Sequence, residues 1–160
     1  MLDRTPSAEM LTDLILSLFR VNNAALTWGD RLVLPHGLTS ARWQIMGAIA
    51  YASEPQPVAW LARDLGANRQ NVQRIVNELA KEGLVTFKAN PRHKRAQLVV
   101  LTAEGQHAYD NAIRAWNPAA DELARDLSPD DLATVLRVLT VLRGRLTASN
   151  ESDAPKAPPA

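Results

Sequence analysis

Apolar residues recur at intervals of three and four along the first part of the chain: Leu11, Leu14, Ile15, Leu18, Val21, Ala25 and Trp28. That spacing keeps them on one face of an α-helix, so an amphipathic helix is predicted from Glu9, after eight polar residues expected to fray. Pro35 and Gly37 break the pattern and predict a loop over 31–37. Thr39 has the chemistry of an N-cap for a second helix, residues 40 to 51, with Trp43, Ile45, Met46 and Ile49 inward. Residues 53–57 carry two prolines and read as a linker. Val58, Leu61, Ala62 and Leu65 mark a short helix stopped by Gly66. Asn68 caps the next helix, striped by Val72, Ile75, Val76 and Leu79 and ended by Gly83.

The period then changes from helical to alternating. Residues 84–87 and 97–101 read as strands, and the basic turn 88–95 between them makes a hairpin. Thr102 caps a further helix, in which Pro118 is expected to cause a kink or a break. Ser128, Pro129, Asp130 and Asp131 form a strong helix start, with two acids on the positive end of the dipole. Leu132, Val135, Leu136, Leu139, Leu142 and Leu146 stripe that last helix. Residues 148–160 hold three prolines and nothing apolar larger than alanine, so a disordered tail is expected.

Composition narrows the class. At 160 residues with 46% hydrophobic and 22% charged, the chain is globular and one domain is expected over 1–160. No apolar run is long enough for a bilayer span, and residues 1–10 lack the pattern of a signal peptide, so cytoplasmic residence without membrane contact is expected. Cysteine is absent, which removes disulfides, thiol nucleophiles and thiolate metal sites. The three histidines lack metal-ligand spacing, so no metal and no cofactor are expected. No nucleophile elbow, P-loop or His–carboxylate cluster is present, and an enzyme is not expected.

The net charge of +1 conceals an uneven distribution. Residues 60–100 hold eight Lys and Arg against three acids, whereas the flanking segments are both net acidic. A basic centre between acidic arms points to a polyanion partner. Helix, short helix, glycine turn, helix and basic hairpin is the order of a winged helix-turn-helix. On the helix after Asn68, the face opposite the apolar stripe collects Gln70, Gln73, Arg74, Asn77 and Lys81, with Arg69 at its start. Gln and Asn can bond adenine bidentately and Arg can bond guanine, so this face is suited to the major groove of double-stranded DNA. Asn68 and the helix N-terminus suit a phosphate. Arg92, His93, Lys94 and Arg95 tip the hairpin, and an arginine-tipped protrusion suits the negative minor groove.

The segments 37–47, 58–66, 72–85, 90–95 and 98–105 together resemble the MarR (multiple antibiotic resistance regulator) family of bacterial transcription factors. Gly83-Leu84-Val85 after the recognition helix and Leu101-Thr102-Ala103-Glu104-Gly105 after the wing carry most of the likeness. The resemblance implies a mainly α fold with a small β-hairpin wing. The winged helix-turn-helix region would be 57–101, and 9–52 with 102–147 would form a helical platform for a homodimer. The broad apolar stripes of the first and last helices agree. A two-fold dimer implies a near-palindromic operator. The family's wing carries an acid that steadies the wing arginine; His93 stands in its place here, while Lys94 and Arg95 match. Arg95 thus inherits the minor-groove role.

The resemblance further implies a small aromatic or phenolic effector that lowers DNA affinity. Trp28, Arg31, His36, Arg42, Trp43 and Met46 lie where its cleft should be: flat apolar walls and a cation. For most of these residues packing, or pairing with an acid, is the competing role. Trp60 and Trp116 read as packing residues. The rival function is a winged helix that docks protein, which would need an apolar outer face on the recognition helix; Gln70, Gln73, Arg74 and Asn77 oppose it.

Overall fold

The structure, a computed structural model, describes residues 5–152. They fall into two compact units divided between Asn117 and Pro118. The architecture is mainly helical with one small antiparallel sheet, a winged-helix fold.

The first unit opens with α1 (Pro6–Val33). The helix begins earlier than its polar sequence predicts. Thr5 accepts a hydrogen bond from the Ala8 amide at 3.3 Å, and Pro6 sits at the first turn, where its missing N–H costs nothing. The helix also runs through Arg31, so the loop expected over 31–37 shrinks to a 3-10 turn (Leu34–His36) closed by Gly37 at φ 74°. Then come α2 (Ser40–Tyr51), β1 (Gln56–Pro57), α3 (Val58–Leu65), α4 (Arg69–Lys81), β2 (Val85–Lys88), β3 (Leu98–Leu101) and α5 (Ala103–Ala124). Thr39 caps α2 and Asn68 caps α4, in accord with the sequence. β1 is an addition: the expected linker pairs with β3, Gln56 opposite Val99 and Pro57 opposite Leu98. The sheet order is β1-β3-β2, and β2 and β3 form the wing stem.

Leu38, Met46, Leu61, Val76, Leu79 and Val99 are almost wholly buried and join α2, α3, α4 and the sheet in one core. Each contributes about 1.5–3 kcal/mol by leaving water. α1 is clasped to α2 by Ser40, whose amide donates to Asp30 at 2.6 Å and whose hydroxyl donates to the Leu26 carbonyl at 2.9 Å. Gly29 permits this approach, since a Cβ there would meet Ser40 Oγ at 2.6 Å. The wing is tied to α5 by Thr102. Its hydroxyl donates to the Gly83 carbonyl at 2.6 Å and accepts from the Gly105 amide at 3.0 Å, while its own amide donates to the Leu84 carbonyl at 3.1 Å.

α5 passes through Pro118 without the break that was one of the two expected outcomes. Proline removes one amide donor, and Pro118 is exposed. The carbonyl it leaves unpaired can therefore bond water.

The second unit holds the end of α5 and α6 (Pro129–Ser152), begun by Ser128, whose hydroxyl accepts from the Asp130 amide at 3.2 Å. α6 reaches Ser152, so helix replaces the predicted tail from 148 to that point. No proline or glycine lies between 147 and 152 to stop it. The remainder of the expected tail, 153–160, lies outside the described residues. No helix among the described residues is long and apolar enough to cross a membrane.

Candidate nucleic-acid interface

α4 turns Val72, Ile75, Val76 and Leu79 into the core, and the 100° step then sets the polar face outward. Asn68 closes the N-terminus by accepting from the amides of Gln70 at 2.8 Å and Asn71 at 3.3 Å. Its side-chain oxygen is thereby engaged, so the residue orients the helix entrance and leaves any anion to the other free amides.

Asn68, Arg69, Gln70, Arg74, Asn77 and Lys81 are all exposed and Gln73 is partly so. Gln73 donates to Asn77 at 2.9 Å, one turn along, which couples the two amides. A groove of about 250 Å³ between α4 and the wing gathers Arg69, Gln73, Asn77 and Arg95 with Phe87 and Pro57. Four of the sequence-predicted residues thus converge across two elements far apart in sequence.

Arg74 is differently placed. One arm donates to Glu78 at 2.6 Å and the other to Asn71 at 2.9 Å. These two partners escaped the sequence reading, although Glu78 four residues on is a recognisable helical pair. Lys81 lies on the exposed last turn of α4.

The wing tip is built by Asn90, which lies within the basic turn 88–95. Its side chain donates to the Ala96 carbonyl at 2.9 Å and accepts from the Arg92 amide at 3.0 Å, locking both ends of the loop. Arg92, His93, Lys94 and Arg95 are all exposed. Arg92 approaches Glu54 at 3.7 Å, and Arg92 with His93 lines a separate hollow of about 370 Å³ beside Trp60, Pro57 and Leu98. Among the described residues no side-chain partner holds His93 or Arg95. The steadying role of the acid that the resemblance places at this position therefore has no counterpart in His93; Asn90 stiffens the backbone instead.

The residues expected at the effector cleft separate. Trp28 and Trp43 both meet Trp116, at ring-centroid distances of 5.1 and 5.0 Å. Trp116 thus packs as predicted but belongs with these two. The Trp43 indole nitrogen is buried without a hydrogen-bond partner among the described residues. Met46 is 0% exposed and packs in the core. His36 lines a different hollow with Glu104, His107 and Asn111. Arg42 is already engaged, donating to Glu82 and, at 3.4 Å, to the Gly37 carbonyl. Arg31 lies exposed at the end of α1. Trp60, expected to pack, is 51% exposed, with the Arg63 guanidinium 5.5 Å from its ring centre.

A MarR family model matches residues 36–96, from the 3-10 turn to the wing tip. An uncharacterised protein of Mycobacterium tuberculosis is 32% identical over 118 residues, covering 71% of this chain and 81% of that protein. The transcriptional activatory protein BadR of Rhodopseudomonas palustris is 28% identical over 137 residues, covering 82% and 77%. Among solved structures, a mutant MarR from E. coli complexed with operator DNA superposes with a TM-score of 0.73 at 22% identity, covering 87% of this chain and 99% of that one. With the winged-helix fold and the sequence likeness extending well beyond the wing, the chain belongs to the MarR family of transcription regulators.

Proposed function

We propose that this protein is a cytoplasmic transcriptional repressor that binds a near-palindromic operator as a homodimer and releases it on binding a small aromatic effector. The observation that carries the reading is the convergence of Arg69, Gln73, Asn77 and Arg95 on one groove between α4 and the wing. Gln70, Gln73 and Asn77 read base edges in the major groove, joined by Arg74 when it leaves Glu78. Arg69, Lys81, Arg92 and Lys94 neutralise phosphates, Arg95 enters the minor groove, and His93 lies against the backbone beside it. Asn68 presents the α4 N-terminus.

Homodimer formation is supported by apolar side chains left exposed on single helices. On α1, Met10 is 72% and Phe19 63% exposed; on α6, Leu136 is 66% exposed. Such faces are stable in water when a second copy covers them. Two copies related by a two-fold axis would set their recognition helices about 34 Å apart, one DNA turn. The tryptophans Trp28, Trp43 and Trp116, with the unpaired indole N–H of Trp43, supply apolar walls and a donor for an effector carrying an acceptor group. Arg31, exposed near the end of α1 and without an ion pair among the described residues, supplies the cation.

Fluorescence anisotropy on the DNA immediately upstream of the chain's own gene, against scrambled DNA at two salt concentrations, tests the reading. Preferential binding with a steep salt dependence is expected. Equal weak binding to both duplexes would overturn sequence-specific recognition. No binding at low salt would favour a protein-docking role for the winged helix.

A further inference from the structure

The recognition helix is anchored at its far end by one side chain of a different helix. Arg42, on the first turn of α2, donates to Glu82, the residue that caps α4, and to the carbonyl of Gly37 at 3.4 Å. One guanidinium therefore links α2, the turn after α1 and the end of the recognition helix. The side chain of Arg42 is only 16% exposed and that of Glu82 51% exposed. Other ion pairs near this face, Arg74–Glu78 and Arg92–Glu54, are considerably more exposed at the arginine. Forty residues separate Arg42 from Glu82, so helical spacing does not make this pair as it makes Arg74–Glu78.

The core contacts of α4 do not duplicate this link. Val72, Ile75, Val76 and Leu79 fix how deeply the helix lies, but all four precede the Glu82 end and their apolar side chains make no directional bond there. A charge-assisted hydrogen bond from a planar guanidinium is directional. Glu82 stands twelve positions beyond Gln70, about 18 Å along the axis. A tilt of about 5° at the Glu82 end moves Gln70 by about 1.5 Å, enough to break a base-edge hydrogen bond, and the nearer Gln73 and Asn77 by proportionally less.

We infer that Arg42 and Glu82 are positioning residues that set the pose of the recognition helix on DNA. Neither touches a base. The inference rests on the DNA-binding reading above.

The decisive variant is Glu82→Gln, because the two physical accounts give opposite signs. Glu82 is an acid close to a polyanion. If it acted only through its charge, neutralising it would tighten binding. If it acts by holding Arg42, binding weakens. The probe is a duplex selected from a random pool by the wild-type protein. Operator affinity is expected to fall by about fivefold or more in Glu82→Gln, the scale of one partly buried ion pair. Glu82→Asp keeps the charge but shortens the reach, and should weaken binding as well. The exchanged pair Arg42→Glu with Glu82→Arg should bind more tightly than the two single exchanges together predict, because the ion pair is restored although the Gly37 bond is lost.

Circular dichroism and thermal midpoints establish that each variant folds; Glu82→Gln, half-exposed and isosteric, is the least disruptive. Unchanged or tighter binding by folded Glu82→Gln would overturn the inference. If the wild-type protein selects no duplex, the DNA-binding reading itself fails, a separate outcome.

Discussion

Replacing Gly105 with alanine isolates the junction that holds the wing to the rest of the fold. A Cβ on Gly105 would lie 2.8 Å from the Leu84 carbonyl carbon and overlap its oxygen. The obstacle is backbone, and it cannot rotate away. Alanine favours a helix by about 1 kcal/mol over glycine. Against that, overpacking costs about 1–3 kcal/mol. Moving the Leu84 carbonyl also strains two bonds, Thr102 amide to Leu84 at 3.1 Å and Thr102 hydroxyl to Gly83 at 2.6 Å, each contributing about 1 kcal/mol. The net expectation is destabilisation by about 2–4 kcal/mol, the helix gain subtracted from the other two costs. Urea denaturation at fixed protein concentration measures it, with the slope unchanged if only stability has moved. Gly144→Ala is the matched control: nothing lies within 4 Å of its Cβ position, so stabilisation of about 0.5–1 kcal/mol is expected. A Gly105→Ala protein as stable as wild type would show that the close approach to Leu84 does not constrain this glycine.

Burial above all, with a hydrogen bond to Tyr51 and the negative charges of Tyr51 and Asp110, holds the Tyr109 phenol well above its ordinary pKa of 10.0. The unfolded chain ionises there first, so this contribution to stability is intact below pH 10 and is lost as pH rises beyond it. Unfolding free energies at about pH 9 and about pH 11 should fall more steeply in wild type than in Tyr109→Phe; equal slopes would contradict the burial argument. Asn90→Ala removes both clamps of the wing turn and should weaken operator binding with little loss of global stability; amide exchange over 92–96 should quicken, and unaltered exchange would show the turn to be held otherwise. Phe19→Glu or Leu136→Glu places a charge on an apolar helix face; sedimentation, expected to report a dimer for wild type, should then report monomer. Arg95→Ala should lose most affinity at operators flanked by A·T tracts; indifference to the flank would remove Arg95 from the minor groove.

What could be read from the sequence is what local chemistry decides. Thr39, Asn68 and Ser128 cap helices by bonds to amides two or three residues on, so the residue type and its neighbours suffice. The outward face of α4 followed from its apolar stripe for the same reason. The strand β1 did not follow, since two residues that include a proline acquire their conformation by pairing with Val99 and Leu98. The site repeats the distinction. Gln73 and Asn77 belong to one helix and were legible together; the meeting of Trp28, Trp43 and Trp116 depends on three helices. The bond from Arg42 to Glu82 crosses forty residues. Asn90 lies in the basic turn, but its bonds to Ala96 and Arg92 form only once the loop has folded back on itself.

The ion pairs also change what the basic centre can deliver. Of its eight cations, Arg74 is bonded to Glu78, Arg92 approaches Glu54 and Arg63 lies 3.6 Å from Asp64. Arg69, Lys81, Lys88, Lys94 and Arg95 have no ion pair among the described residues. Exposed pairs are weak, so DNA can take Arg74 or Arg92 from its acid, but an unpaired carboxylate is then left beside a phosphate. The five free cations should therefore dominate the electrostatic affinity, with a limiting salt slope of about −4.5 per protomer, against about −7 if all eight engaged. Two of the five, Arg69 and Arg95, line the groove that also holds Gln73 and Asn77. Free charge and base-reading amides thus share one surface, whereas the paired arginines lie beside it. That division favours a regulator whose nonspecific hold on DNA is modest and whose affinity depends on fitting the groove to a sequence.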